Sequence, residues 1–533
     1  MNKLIIFLIF SSLTAFSFGR DIYVATNGAG DGSSSYGTWG TASSNIEWAV
    51  NVGVNDDTVW ISNGVYVLTN QITVTSNITV RGFTNNGPAI IDGNGTVRCF
   101  EFTAAATGVL ANLFITRGYV FTGGYSGGGG VKMGSGVLLN CVFSNNSAFS
   151  SGTYAGGGGA YFAHGTNLIQ SCVFVDNITT NTGGGLFLRD TSRSIIDRCV
   201  FRTNTADIGG GVYHKNDCNN TLITNCDFIC NVASNRAGGG CFYFGTNNLI
   251  THCTFDGNAA LKDYGGGMYM LGSGWLCSDS FFSNNIATNS GGGMSLRYGA
   301  VVKNCVIARN VTQVTDGNNG GGGIHMGEAD TLVQNCTIEE NRSGQYAGGV
   351  YFVGGILQNC LIKNNVADWQ AGAIRVSATD TEISSCTIVS NYATSYGGGI
   401  HNRSATYTVR VDNCIVYLNK SANNPPSSNL YDLSSSSYSN CCVAGFVNAT
   451  AVITNNITTA NPQFSDWTNG NYRLSRNSLC VNAGVNRDWM TNAVDLDGHR
   501  RVDIFSGLPD MGCYEYVPVG ASTVKSFRGD ASH

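Results

Sequence analysis

Apolar and polar residues alternate with period two through the middle of the chain. Leu139, Cys141 and Phe143 fall on one parity, and Asn140 and Val142 on the other. Such alternation over a few residues marks a strand with one buried face. It recurs in a fixed frame: Cys, any residue, Phe/Ile/Val, any two residues, Asn. Copies stand at Cys141-Phe143-Asn146, Cys172-Phe174-Asn177, Cys199-Phe201-Asn204, Cys226-Phe228-Asn231 and Cys253-Phe255-Asn258. Ser280-Phe282-Asn285 follows, with Ser for Cys, and then Cys305-Ile307-Asn310, Cys336-Ile338-Asn341, Cys360-Ile362-Asn365, Cys386-Ile388-Asn391 and Cys414-Val416-Asn419. The eleven copies are about 27 residues apart. A Gly run precedes each one, at 127–130, 156–159, 183–185, 209–211, 238–240, 265–267, 291–293, 320–323 and 397–399, with Gly348-Gly349 and Ala371-Gly372-Ala373 as short forms.

This period is too short for a propeller blade and too long for a hexapeptide coil, and the frame of a leucine-rich repeat is absent. The spacing predicts an all-β, single-stranded parallel β-helix with one repeat per coil. Like residues then stack at the strand separation of about 4.8 Å, and each coil pairs with the next, as in other solenoids. Cys becomes an inward column of small buried thiols. Disulfides between rungs are not expected, because in-register side chains point the same way. No CxxC and no interleaved His suggests a metal ladder.

The residue after each Gly run is apolar and should face inward. The next position should face outward, and reads Lys132, Tyr161, Phe187, Tyr213, Phe242, Tyr269, Ser295, His325, Tyr351, Arg375, His401. Two residues further on, the same face holds Arg189, Lys215, Phe244, Arg297 and Arg403. Aromatic rings in an exposed column suit the apolar faces of sugars, and Arg and Lys beside them suit carboxylate or sulfate. Tyr161, Phe187, Tyr213, Phe242, Tyr269, Arg189, Lys215, Arg297 and Arg403 are therefore candidate ligand-binding residues. The competing reading is that the rings only cover the sheet and stack across strands. His325, Tyr351, Arg375 and His401 fall on four successive coils, with Asp368 and Trp369 nearby. They are the candidate catalytic set, since elimination from a uronate needs a base and a cation facing the carboxylate; no fixed motif ties them together, and a plain surface is the other reading.

Composition narrows the classes. The 71 Gly accompany only 6 Pro and no Gly-X-Y period, which excludes collagen. A hydrophobic content of 42% with a net charge of −5 excludes charge-driven disorder. The balance of 29 Lys+Arg to 34 Asp+Glu gives no basic footprint for nucleic acid. Met1-Asn2-Lys3, the apolar run Leu4 to Phe10 and Ser17-Phe18-Gly19 read as a secretory signal cut after Gly19, and no later apolar run is long enough to span a membrane. Export is compatible with disulfides, and of the 19 Cys, Cys480 and Cys513 share the terminal segment and are a candidate pair. Asp495-x-Asp497-Gly498 resembles a fragment of a calcium loop, which makes Asp495 and Asp497 the candidate metal ligands; a plain turn is the other reading. No other cofactor is indicated. Arg528-Gly529-Asp530 is an RGD tripeptide.

Gly183-Gly184-Gly185-Leu186 with Phe201-Arg202-Thr203-Asn204 resembles the repeats of chlamydial polymorphic outer-membrane proteins. Asp21-Ile22-Tyr23-Val24-Ala25, followed by Asp57-Thr58-Val59-Trp60-Ile61-Ser62-Asn63-Gly64-Val65-Tyr66, resembles the first coils of pectate-lyase-like β-helices. Asn461-Pro462-Gln463-Phe464, Tyr472-Arg473-Leu474, Ala483-Gly484, Asp495 to Arg501 and Asp510-Met511-Gly512-Cys513-Tyr514-Glu515 resemble the choice-of-anchor Q domain of bacterial surface proteins. The resemblance implies an exported right-handed parallel β-helix. The layout is then a signal peptide (1–19), an N-terminal cap with first coils (20–100), the repeat region (101–420) and C-terminal coils or cap (421–533). The expected function is adhesin-like: binding an extended carbohydrate or cell-surface polymer from an extracellular or outer-surface location. The alternative is a polysaccharide lyase or glycoside hydrolase acting on an acidic polysaccharide. The catalytic Asp/Arg sets of pectate lyases and the paired Asp of polygalacturonases find no match here.

Overall fold

The computed structural model describes residues 19–518, apart from 31–34, 86, 123–126, 153–155, 216, 316–318, 379–380, 403, 405, 424–427 and 446–451. The signal peptide, Arg403 and the RGD tripeptide lie outside the described residues, Gly19 excepted.

One coil shows how the sequence becomes structure. Asn167–Gln170 and Val173–Val175 lie in one parallel sheet, sheet A; Ile178–Thr179 lies in a second, sheet C; Leu186–Leu188 lies in a third, sheet B. The next coil repeats the path, and pairing is in register, Ile169 with Ile196, Phe174 with Phe201 and Leu186 with Val212. Among the described residues sheet B holds 14 strands and sheet C holds 12. The stack therefore continues beyond the eleven recognisable copies, as the expected parallel β-helix.

The inward positions behave as the alternation requires. Ile169, Cys172, Phe174, Leu186 and Leu188 are buried in one continuous core. From Phe143 to Phe282 the rings stack rung on rung, 4.4 to 5.0 Å apart and within 15° of parallel. The Cys column is an inward thiol ladder. The Cys172 thiol donates to the carbonyl two residues back at 3.3 Å, and its sulfur accepts the Cys141 amide at 3.5 Å. Cys441 adds a further rung after Cys414.

Two bends per coil explain the Asn content. The residue before each ladder Cys adopts the left-handed conformation, as at Asn140, Asn225, Asn304, Asn335, Asn359 and Asn413, and so does the residue before each repeat Asn, as at Asn145 and Asn364. Asn tolerates positive φ better than most residues. The repeat Asn itself has a different task. Asn231 donates from Nδ2 to Asn258 Oδ1 at 2.9 Å and to Phe201 O at 2.8 Å, and the Asn231 amide donates to the same Asn258 Oδ1 at 3.0 Å. This pattern runs unbroken from Asn146 to Asn419 inside the A-to-C corner. Asn429, standing at the Gly-run position of the following coil, accepts from Asn419 and closes the ladder by donating to Ala444 O at 3.1 Å.

One register expectation is corrected. In the coil of Gly238-Gly239-Gly240, Gly240 pairs with Val212 and Cys241 with Tyr213. The run contributes its last glycine to the strand, so Phe242 turns inward and packs against Trp275 at 5.1 Å.

The segment from 461 to 516 lies along the flank of the last rungs, on the outer face of sheet A. Leu361, Val389, Ile415 and Cys442 form a second core there with Phe464, Tyr472, Leu474, Cys480, Met511 and Cys513. The bend asparagines hold it: Asn359, Asn413 and Asn440 donate side-chain hydrogen bonds to Val494 O, Val485 O and Ala483 O. The buried Asp412 carboxylate meets Arg487 of this segment at 3.1 Å.

Candidate binding face

Sheet B places the outward column rung by rung. The register runs Thr73, Glu101, Lys132, Tyr161, Phe187, Tyr213, Cys241, Tyr269, Ser295, His325, Tyr351, Arg375, His401, Tyr431. These side chains do point away from the main core. They are nevertheless covered: Tyr161, Phe187, Tyr213 and Tyr269 are at most 5% exposed and form their own apolar cluster with Ala237, Cys241 and Leu271. The cover comes from the turn that leads into each Gly run, which supplies Ile208, Ala237 and Tyr264. An open aromatic column is thus corrected to a buried one with exposed margins.

The rings form a continuous line of contacts. Tyr161 meets Phe187, Phe187 meets Tyr213, and the line passes through Tyr243, Tyr269 and Tyr264 to His325 and Tyr351, with centroids 5.1 to 6.3 Å apart. Cations lie over its faces, Arg236 over Tyr269, Arg297 over Tyr264 and Arg375 over Tyr346, the last at 3.9 Å. Arg189 reaches the Tyr161 hydroxyl at 3.4 Å and, with Lys215, flanks Asp190.

Toward the C-terminal rungs the line comes to the surface. Trp369 is 38% exposed and rests on Tyr346 at 4.9 Å. Tyr396 and Tyr431, both half-buried, are 4.9 Å apart, and Tyr431 stacks on His401 at 5.2 Å. Arg375 is held between Gln370 at 3.0 Å and His401 Nδ1 at 3.3 Å. A second exposed pair, Phe244 and Tyr298, meets at 5.5 Å on the other margin of sheet B, above Gly272. The alternation carried no signal for Tyr264, Tyr346 and Tyr396. A signal existed all the same, since Tyr264 and Tyr396 stand immediately before their Gly runs and Tyr346 stands before Ala347 and the short run Gly348-Gly349.

The candidate catalytic residues His325, Tyr351, Arg375 and His401 are adjacent in register, as their column requires. Three of the four, His325, Tyr351 and His401, are buried. His325 is buried, bonded to Ser295 Oγ at 3.1 Å, and burial with Arg297 nearby drives its pKa down to about 3, so the ring is neutral. His401 is wholly buried. Burial raises the Tyr269 hydroxyl to about 12 and raises Tyr161 as well, leaving both protonated at neutral pH.

Asp495, Asp497 and His499 lie together, but their oxygens are engaged. Asp495 accepts the amides of Asp497, His499 and Glu515, and Asp497 pairs with Arg473 at 2.6 Å. This is the hydrogen-bonding of a turn.

Burial of the column makes a stability prediction. Tyr213→Ala and Tyr269→Ala should each destabilise the fold by about 2–4 kcal/mol, the usual cost of emptying a buried aromatic site. Urea-unfolding midpoints measure this. A surface role would leave the midpoints unchanged.

Among the described residues no helix is long and apolar enough to cross a membrane. No curated protein matches the sequence. Among solved structures, the pectate lyase Pel9A is 14% identical, over 94% of this chain and 97% of its own, with a TM-score of 0.27. A mannuronic acid specific polysaccharide family 6 lyase from human gut microbiota is 10% identical over 67% and 81%, with a TM-score of 0.30. PfbA, a surface adhesin of Streptococcus pneumoniae, is 12% identical over 68% and 89%, with a TM-score of 0.27. The family model described as right handed beta helix region matches residues 63–233 and 283–437, more than half of the chain. The chain belongs to the right-handed β-helix family.

Proposed function

We propose that this is an exported, adhesin-like β-helix that holds an extended acidic carbohydrate along the outer face of sheet B without turning it over. The observation that carries the reading is the exposed Trp369 ring on Tyr346, with the Arg375 guanidinium over that same tyrosine. A ring face open to solvent beside a cation suits a sugar bearing a carboxylate or sulfate. Tyr396, Tyr431 and Arg297 extend this surface along the rungs, and Arg189 and Lys215 do so toward the N-terminal coils. The buried rings Tyr161, Phe187, Tyr213 and Tyr269 serve as its rigid backing. Support against turnover is chemical: the two histidines of the column are buried, and burial with Arg297 nearby keeps His325 neutral. Export follows from the leader-like residues 1–19, and the terminal segment's resemblance to a choice-of-anchor Q domain suits display on an outer surface.

Titration with a panel of polyuronates and sulfated glycans tests this. Trp369→Ala is expected to cost about 1–2 kcal/mol of binding, roughly five- to thirtyfold in affinity. The unfolding midpoint should move little, because the ring is partly in solvent. Absorbance from newly formed double bonds should stay flat throughout. Robust turnover that disappears in Arg375→Ala or His401→Ala would overturn the non-enzymatic reading and favour the lyase.

A further inference from the structure

Of the 19 cysteines, fourteen sit in the main core, and the ladder thiols among them project in parallel, with no geometry for cross-linking. The contact between the last coil and the C-terminal segment is different. Cys442 lies on the outer face of sheet A, between the inward-facing Cys441 and Val443, and so points at the overlying segment. Cys480 belongs to that segment and points back. Both are fully buried in the same apolar cluster, Cys442 Sγ donates to Ala460 O at 3.3 Å, and each thiol is the largest influence on the other's proton affinity. They approach from opposite layers, unlike the ladder thiols, which project in parallel. Cys513, also in this cluster, lies against Thr387 of sheet A, whose hydroxyl accepts its backbone amide at 3.0 Å.

We propose that Cys442 and Cys480 form a disulfide that staples the C-terminal segment to the final rung. A disulfide oxidant, such as oxidised glutathione, supplies the chemistry. The Cys480 thiolate attacks the oxidant's S–S bond and one oxidant thiolate leaves. The Cys442 sulfur, losing its proton, then displaces the second. Two protons leave the pair and two electrons reduce the oxidant to two thiols, so the exchange balances. The neighbouring Cys442 lowers the Cys480 pKa, which favours Cys480 as the first nucleophile. The cross-link would fix the segment that covers the outer face of sheet A along its last rungs. It requires nothing of the sheet B margins, so it stands or falls apart from the carbohydrate reading.

The test uses the full chain, folded with reduced and oxidised glutathione, then alkylated under denaturing conditions without reductant. Two of the 19 thiols are expected to escape alkylation. Peptide mapping should join the peptide bearing Cys442 to that bearing Cys480, and Cys441→Ser should keep the link while Cys442→Ser or Cys480→Ser abolishes it. Oxidation should raise the thermal midpoint of the parent and of Cys513→Ser by several degrees, and leave that of Cys480→Ser unmoved. Full alkylation of every thiol after oxidation, or a Cys480–Cys513 or Cys441 link in its place, would overturn the staple. Because the mapping is done on the parent protein, the result does not depend on any variant folding.

Discussion

Gly184→Val is expected to break the solenoid. A Cβ on Gly184 would lie 2.3 Å from Gly210 O, 2.7 Å from Thr205 O and 2.8 Å from Thr205 N. All three are backbone atoms of the next coil, itself locked in register with its neighbours, so nothing flexible can yield. The coils must separate, and separation breaks the ladder bonds of the corner. The expected loss exceeds about 4 kcal/mol, the range reserved for severe packing defects. Solenoid stability is a sum of coil and nearest-neighbour terms, so urea unfolding followed by circular dichroism should also split into two transitions. Gly40, whose added Cβ would meet only Thr38 Oγ1 at 3.8 Å, is the control. Gly40→Ala should stay within about 0.5 kcal/mol of the parent. A single unshifted transition for Gly184→Val would mean that the coils are not held in this register.

Asn258→Ala should be nearly as costly. The Asn258 side chain donates to Phe228 O at 2.8 Å and Asn285 Oδ1 at 2.9 Å, and its oxygen accepts from the Asn231 amide at 3.0 Å and from Asn231 Nδ2 at 2.9 Å. Removing it breaks four hydrogen bonds where no solvent reaches and leaves the Asn231 amide without its acceptor. At about 0.5–1.5 kcal/mol for each hydrogen bond lost, the loss is about 2–6 kcal/mol. Asn258→Asp separates hydrogen bonding from packing. The carboxylate keeps both acceptor roles but sets an anion against Phe228 O and Asn285 Oδ1, so at neutral pH it should be at least as damaging as Ala. Acidification should restore part of the stability, because a protonated carboxyl donates once more. Equal urea midpoints for Asn258→Asp at pH 7 and pH 4.5, after the parent's own change is subtracted, would count against this account.

The architecture was legible because the repeat encodes it twice, once in parity and once in period. Cys172, Phe174 and Leu186 are apolar at the positions that face inward, and Asn177 recurs at the spacing that brings it beside Asn204. The outward column was legible in position but not in exposure. Alternation tells which way Tyr213 points relative to the core; it says nothing of a turn from the same coil folding over it. Phe242 was misplaced for a local reason, since counting from the end of a Gly run fails where Gly240 enters the strand. The docking of residues 461–516 against Asn413 and Ile415 was illegible, because it rests on contacts across long sequence separations, with no period to reveal them. The partner of Cys480 was hidden for the same reason.

The asparagine ladder gives the molecule a sense of direction. Each Asn oxygen accepts from the N-terminal coil, and each Nδ2 gives one hydrogen bond to the next Asn oxygen and the other back to a carbonyl, so the Asn-to-Asn bonds all run one way along the axis. The two extremities are therefore inequivalent. The first oxygen, on Asn146, is satisfied by the Gly118 amide, and the last amide nitrogen, on Asn429, by Ala444 O. Each terminator matches the sign of the end it closes. A coil duplicated within the stack would keep the line of bonds intact, whereas one appended at either extremity would first have to displace a terminator. Growth of such a molecule is accordingly favoured from the middle.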